Sequence, residues 1–388
     1  MTVALVHDYL MQGLRGAERV LAAIHELYPD APVYTLLYDE EIMRPLCAGW
    51  DVRPSFLQKL PRARRLHQRL LPLMPRAAES LPLGEYDLIL STSSAWVKSV
   101  RFRPDAVHVC FCHSPARFLW HWTEEYLRTF PAGSVSKAVA RRLLERLRRW
   151  DRATCDRPTQ YLANSRLVQG RIREYYGRES TLLYPPVETD RFLPEDRDED
   201  YFLIVSALNP YKRVDLAVEA CNRLRLPLVV VGEGPERERL RALAGPSVRI
   251  LGRCEDDEVT QLVARCRAFL MPQEEDFGIA AVEAQSAGRP VIAYAAGGAL
   301  ETVVDEETGL FFPEQTPESL AEALRRFDRR SFDKGRIREN ALRFSKERFQ
   351  REYQEEVARV VGAAFGASAP RQPPVRQSLG DRGPGGTR

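Results

Sequence analysis

Short apolar runs recur along the chain, each followed by a stretch whose apolar residues fall at helical spacing. VALV (3–6), PVYTLLY (32–38), YDLIL (86–90), VHVCFC (107–112) and QYLAN (160–164) read as strands. They are apolar almost throughout, which predicts a parallel sheet covered on both faces. Helices are predicted from about Ala17 to Leu27 and over 134–152 and 166–176. A stretch with three prolines and a terminal charge cluster follows, and 185–200 reads as a hinge. The pattern then restarts with YFLIVSAL (201–208), LPLVVVG (226–232), VRILG (248–252), AFLMP (268–272), PVIAY (290–294) and GLFF (309–312). The implied fold class is α/β, with two Rossmann-like doubly wound domains, 1–184 and 201–345, facing a cleft. A helix over 346–366 is expected to return to the first domain. The Pro-, Gly- and Arg-rich tail 367–388 is expected to be disordered.

A length of 388 residues suits two domains, and 44% hydrophobic with 29% charged residues is a globular balance. The net charge of +3 gives no reason to expect a nucleic-acid partner. That balance hides an asymmetry, because the first 160 residues carry 23 Lys/Arg against 17 Asp/Glu. No apolar run approaches the ~18 residues of a membrane span. MTVALVHDYL lacks the features of a signal peptide, and seven scattered cysteines argue against a disulfide framework. A reduced, cytoplasmic protein is therefore expected.

Candidate chemistry belongs beyond the carboxyl ends of the strands, where doubly wound sheets bind ligands. Directly after AFLMP stands Glu275-Asp276-Phe277-Gly278-Ile279-Ala280-Ala281-Val282-Glu283. Strand, acidic loop, glycine and helix bring backbone N–H groups to a helix N-terminus, which attracts phosphate or a polarised hydroxyl. Glu275 is placed to accept from sugar hydroxyls. Glu283, just over a turn into the helix, is placed to hold a ribose diol. Either glutamate alone reads more readily as a solvated helix start, so the whole string decides.

E-x-F-G-I-x-x-x-E at 275–283 resembles the signature of retaining GT-B glycosyltransferases of family 4. The resemblance includes Gly16-Ala17-Glu18-Arg19-Val20, His113-Ser114-Pro115, Ala163-Asn164-Ser165 and Tyr184-Pro185-Pro186-Val187. Pro210-Tyr211-Lys212-Arg213-Val214-Asp215, Gly232-Glu233-Gly234-Pro235 and Ala296-Gly297-Gly298 complete it, in the family's order from about residue 2 to 350. It implies a GT-B fold, with Glu275 on the donor sugar's 3- and 4-hydroxyls and Glu283 on the nucleotide ribose. Backbone amides around Phe277, Gly278 and Ile279 would meet sugar and diphosphate. His113 would stand beside the donor sugar in a supporting catalytic role.

Lys212 and Arg213 follow a strand of the second sheet, where a cation can offset charge growing on a departing diphosphate. A solvated first-turn pair is the plainer alternative. Many family members carry an arginine five residues before the lysine; here that residue is Ala207, and Arg213 is the substitute candidate. Gly16 would let backbone approach the diphosphate, although Arg15 replaces the first of the family's two adjacent glycines. Cys110, Cys112 and His113 are not expected to bind metal, because consecutive strand residues face opposite ways. Asp198-Glu199-Asp200 resembles the D-x-D metal motif of other glycosyltransferases but stands before a strand rather than after one. No metal and no cofactor are expected.

Gln58 to Arg76 carries Lys59, Arg62, Arg64, Arg65, Arg69 and Arg76 without an acid, interleaved with Leu60, Leu66, Leu70, Leu71, Leu73 and Met74. It resembles a basic amphipathic segment able to lie on anionic lipid. A second basic helix over 137–152 adds to it, while ordinary Arg-rich surface decoration explains both equally. FCHSPARFLWHW (111–122) is similar to bacterial mannosyltransferases of polysaccharide and O-antigen assembly. The expected activity is a metal-independent retaining transfer of a hexose, best mannose from GDP-mannose, to a glycan or lipid-linked acceptor, peripheral on the inner face of the plasma membrane. The rivals are a UDP-sugar-dependent transferase, a sugar-nucleotide epimerase and a non-catalytic sugar-nucleotide-binding protein. A nicotinamide dehydrogenase would need a complete G-x-G-x-x-G, which is missing.

Overall fold

The computed structural model describes residues 1–13, 16–129 and 134–366. The tail at 367–388 and Arg15 therefore lie outside the described residues. The first domain holds strands Val3–Leu10 (β1), Val33–Tyr38 (β2), Val52–Pro54 (β3), Leu88–Ser93 (β4), Val107–Cys112 (β5), Gln160–Ala163 (β6) and Thr181–Leu182 (β7). The second holds Phe202–Val205 (β8), Leu228–Val231 (β9), Val248–Gly252 (β10), Ala268–Met271 (β11), Val291–Tyr294 (β12) and Gly309–Phe312 (β13). The sheet orders are β3-β2-β1-β4-β5-β6-β7 and β10-β9-β8-β11-β12-β13. All pairings are parallel, as the uniformly apolar runs require.

Alternation along β1 sends Ala4 and Val6 into one core with Ile89 and Trp96, and Leu5 into the other with Val33 and Leu88. β1 runs to Leu10, four residues past the expected VALV, so His7 and Asp8 belong to the sheet. In both sheets the order reverses beside the first strand, at β1/β4 and at β8/β11. Such switch points open a crevice at the carboxyl ends of the strands.

The helix Lys346–Phe365 returns to the first domain, as expected. Ser345 caps it, and Phe349, Tyr353, Val357, Val360 and Val361 form one apolar stripe seated in the core with Leu5 and Ile24. No helix among the described residues is long and apolar enough to cross a membrane.

The segment 58–76 departs from the sequence reading. It is not one amphipathic helix: 3-10 turns at Phe56–Lys59 and His67–Leu73 lead into a short helix at Met74–Glu79. Pro61, Pro72 and Pro75 interrupt it, each removing a backbone donor. Leu60, Leu70 and Leu71 pack against the domain's own core, Met74 is fully buried, and of the six apolar residues only Leu73 is exposed. Arg64 pairs with Asp39 at 2.6 Å. Lys59, Arg62, Arg65 and Arg69 are exposed and form no ion pair among the described residues.

Candidate active site

The loop after β11 is built to hold an unusual backbone. Gly278 takes φ +95, a conformation that side chains resist, and opens the helix Ile279–Ser286. Phe277 anchors the turn, 5.6 Å from Tyr184 and 5.3 Å from Phe344 between ring centres. A second loop braces it from behind, where Gly298 N donates to Glu275 O at 2.8 Å. A Cβ on Gly298 would lie 2.3 Å from Phe277 Cα and 2.4 Å from its carbonyl oxygen, so only glycine fits.

Glu275 pairs with Lys212 Nζ and accepts from Gln273 Nε2 at 2.8 Å. Lys212 closes the 3-10 turn Pro210–Lys212, which follows β8 across the switch point from β11. Arg213, the substitute cation, instead reaches Asp215 at 3.4 Å and Gln315 Oε1 at 3.5 Å. Gln315 in turn donates to Pro272 O at 3.0 Å, so Arg213 stands one side chain away from the loop after β11. Glu283 pairs with Arg19 of the helix Gly16–Leu27 in the first domain. That arginine stands in a string singled out from the sequence without being given a role.

Gly16 faces the second domain: a Cβ there would sit 3.2 Å from Ile279 Cδ1. Two helix N-termini, at Gly16 and Ile279, therefore approach one another across the cleft. Gly16, Lys212, Glu275, Phe277, Gly278, Ile279 and Glu283 thus lie around the same cleft. Lys59, Arg62, Arg64, Arg65 and Arg69 have no hydrogen bond or ion pair with this loop among the described residues.

His113 follows β5, its N–H donating to Ser93 O at 2.9 Å and its ring 5.2 Å from Phe111. Its Nε2 is buried with no hydrogen-bond partner among the described residues. Burial, followed by the field of His7, pushes its pKa down to about 3, so the ring is neutral at pH 7. His7 accepts or donates at Thr92 Oγ1, 2.5 Å away, and is likewise lowered by burial, to about 4.

Several residues that shape the cleft escaped the sequence reading. Asp8, 3% exposed, accepts from the backbone N–H groups of Ser94, Ala95, Trp96 and Val97 at 2.6 to 2.9 Å, fixing the loop after β4. Burial raises its pKa against the pull of those four donors. A carboxylate inside an apolar strand was the available signal. Lys98 and Asp151 form a buried pair at 3.0 Å, 2% and 0% exposed. Asp151 also accepts from Trp120 Nε1 at 2.8 Å and Tyr176 OH at 2.9 Å, which moors the loop that begins at His113. Asp276 meets Arg117 and Arg171 of the first domain.

The D-x-D string is occupied otherwise. Asp198 meets Lys334 at 2.7 Å as well as Arg289, and Asp200 meets Arg267 at 3.0 Å, before β8 rather than after it. Among the described residues, no three His, Cys, Asp or Glu side chains are grouped to hold a metal.

Residues 188–344 match the family model described as glycosyl transferases group 1. Residues 188–344 are thus similar to a group 1 glycosyltransferase domain. Lys212, Arg213 and the whole 275–283 string lie within the matched residues. The GDP-mannose-dependent alpha-(1-6)-phosphatidylinositol monomannoside mannosyltransferase of Mycobacterium tuberculosis is 32% identical over 192 residues, covering 41% of this chain and 50% of that protein. O-antigen chain mannosyltransferase C of Escherichia coli is 29% identical over 159 residues, covering 39% of this chain and 43% of that protein. The chain spans about half or less of the length of the curated relatives it matches. Among solved structures, Anabaena HepE in complex with UDP superposes with a TM-score of 0.65 at 18% identity, over 92% of this chain and 100% of that one. Sucrose-phosphate synthase from Thermosynechococcus elongatus gives 0.66 at 17% identity, over 94% and 100%. These likenesses show the fold: GT-B, with both domains and the cleft.

Proposed function

We propose that the chain is a retaining, metal-independent hexosyltransferase that moves a sugar from a nucleotide to a glycan or lipid-linked acceptor. One observation carries the reading. Glu275 and Glu283 flank a glycine-opened helix N-terminus, with Lys212 on the first carboxylate and Gly16 directly opposite. The arrangement suits a sugar nucleotide laid along the loop, with sugar hydroxyls on Glu275, diphosphate on the facing amides and Lys212, and ribose on Glu283. In the reaction the bond from the anomeric carbon to the diphosphate oxygen breaks, and the acceptor oxygen bonds to the same face. The departing phosphate oxygen takes the acceptor's proton. Lys212 and the helix amides offset the charge that grows there. His113, held neutral, supplies a polar nitrogen and no positive charge to the site.

GDP-mannose remains the preferred donor, supported by relatives named as mannosyltransferases. A UDP-sugar is the second reading, favoured by a structural neighbour described with UDP. The exposed cations Lys59, Arg62, Arg65 and Arg69 support work at an anionic membrane surface, and the leucines between them do not.

Incubating the protein with GDP- and UDP-sugars, with and without acceptor and with EDTA throughout, tests the reading. Sustained release of nucleoside diphosphate that needs an acceptor is expected with one donor. Turnover without an acceptor indicates an epimerase, binding without turnover indicates a sensor, and activity that returns only with added Mn²⁺ or Mg²⁺ contradicts metal independence.

A further inference from the structure

Between Glu275 and Phe277, the residues assigned to the donor, stands Asp276, whose side chain is 10% exposed. Arg117 Nε donates to its Oδ2 at 3.1 Å, with Nη2 on the same oxygen. Arg171 donates from Nη1 to the other oxygen and from Nη2 to Glu274 at 3.0 Å. Both arginines belong to the first domain. Arg117 lies four residues after His113, and Arg171 lies on the helix Arg166–Tyr176. A second contact holds that helix to the second domain: Glu301 accepts from Arg166 N at 3.0 Å and from Tyr184 OH at 3.0 Å. The guanidinium of Arg117 also lies over Trp122, 4.8 Å from the ring centre, and Trp122 meets Tyr211 across the cleft at 4.5 Å.

We propose that Asp276 is a positioning residue that sets the His113 loop and the donor loop at working distance when the cleft is closed. The inference rests on the transferase reading. Every partner of the carboxylate comes from the opposite domain, so these bonds exist only in the closed arrangement. An interaction present in one of two states shifts the population toward it. Donor contacts assigned to Glu275 and the loop amides do not require Asp276. Its loss should therefore lower turnover more than nucleotide binding, which keeps the contacts made by the second domain.

Asp276→Asn and Arg117→Gln test this. Each is expected to lower kcat by about tenfold or more, since misplacement near 1 Å is that costly. The Kd for nucleoside diphosphate, measured by calorimetry, should rise by a smaller factor than kcat falls. Asp276→Glu, which keeps the charge, should retain more turnover than Asp276→Asn. The double variant should be no slower than the worse single. Binding that weakens in step with kcat, or single effects that multiply in the double variant, would overturn the proposal. Small-angle scattering reads the coupling without any activity: both variants should raise the radius of gyration, and an unchanged value would overturn it. A wild-type protein without acceptor-dependent turnover would instead count against the transferase reading, and the scattering comparison would still decide this one.

Discussion

Replacing Gly298 by alanine adds one methyl group where the loop after β11 leaves no room. The new Cβ would lie 2.3 Å from Phe277 Cα and 2.4 Å from Phe277 O, both backbone atoms that no rotamer change can move. Ordinary contact needs about 3.4 Å or more, so one loop must shift by about 1 Å. That shift falls on Phe277 and on Glu275, whose carbonyl Gly298 N holds at 2.8 Å. Overpacking of this kind costs roughly 1–3 kcal/mol in stability. A displacement near 1 Å at a reacting site costs about a hundredfold in rate. Gly170→Ala is the control: it lies within the helix Arg166–Tyr176 with nothing within 4 Å of its built Cβ, and should be neutral or stabilising by up to ~1 kcal/mol. Initial rates at saturating donor and acceptor, with thermal unfolding of all three proteins, give the comparison. If Gly298→Ala turned over within twofold of wild type and unfolded at the same temperature, the loop would not be braced as described.

Asp151→Asn should destabilise the first domain by about 3–5 kcal/mol in urea unfolding, because Lys98 would stay buried without its counter-charge; an unchanged midpoint would refute the buried-pair account. Stability should also fall as pH drops from 7 to 5. Burial pushes His108 and His113 down to about 3 and His7 and His121 to about 4, so the unfolded chain binds protons the folded one refuses. Each such histidine contributes up to about 1.4 kcal/mol per pH unit, and His108→Gln should flatten the slope of unfolding free energy against pH by that share. Reversing Arg62, Arg65 and Arg69 to Glu should release the protein from anionic vesicles, each cation being worth roughly 1 kcal/mol at low salt; equal sedimentation of both proteins would leave an ordinary solvated face.

The two-sheet architecture was legible because strands buried on both faces must be apolar throughout, a signal as plain in VHVCFC as in LPLVVVG. The return of the last helix was legible from its apolar period, seated through Phe349 and Tyr353. The short edge strands Val52–Pro54 and Thr181–Leu182 were not, since two or three residues carry no period. The string at 275–283 could be read because its pieces are contiguous. Asp276 with Arg117 and Arg171, and Glu283 with Arg19, unite residues more than a hundred positions apart, and no local pattern reveals that. The reading of 58–76 went astray for a related reason. Leucines interleaved with cations cannot tell an outer face from the domain's own core, and Leu60, Leu70 and Leu71 pack inward.

The central claim is that Glu275 serves a departing sugar. It is tested most directly by nucleoside diphosphate release from the preferred donor at saturating acceptor, comparing wild type with Glu275→Gln. The substitution keeps the size of the side chain and removes the charge that pairs with Lys212. Charge-assisted hydrogen bonds are roughly twice as strong as neutral ones, and losing this one should slow release by on the order of tenfold to a thousandfold with the fold intact. Glu275→Gln releasing nucleotide at the wild-type rate, with the same acceptor dependence, would contradict the account.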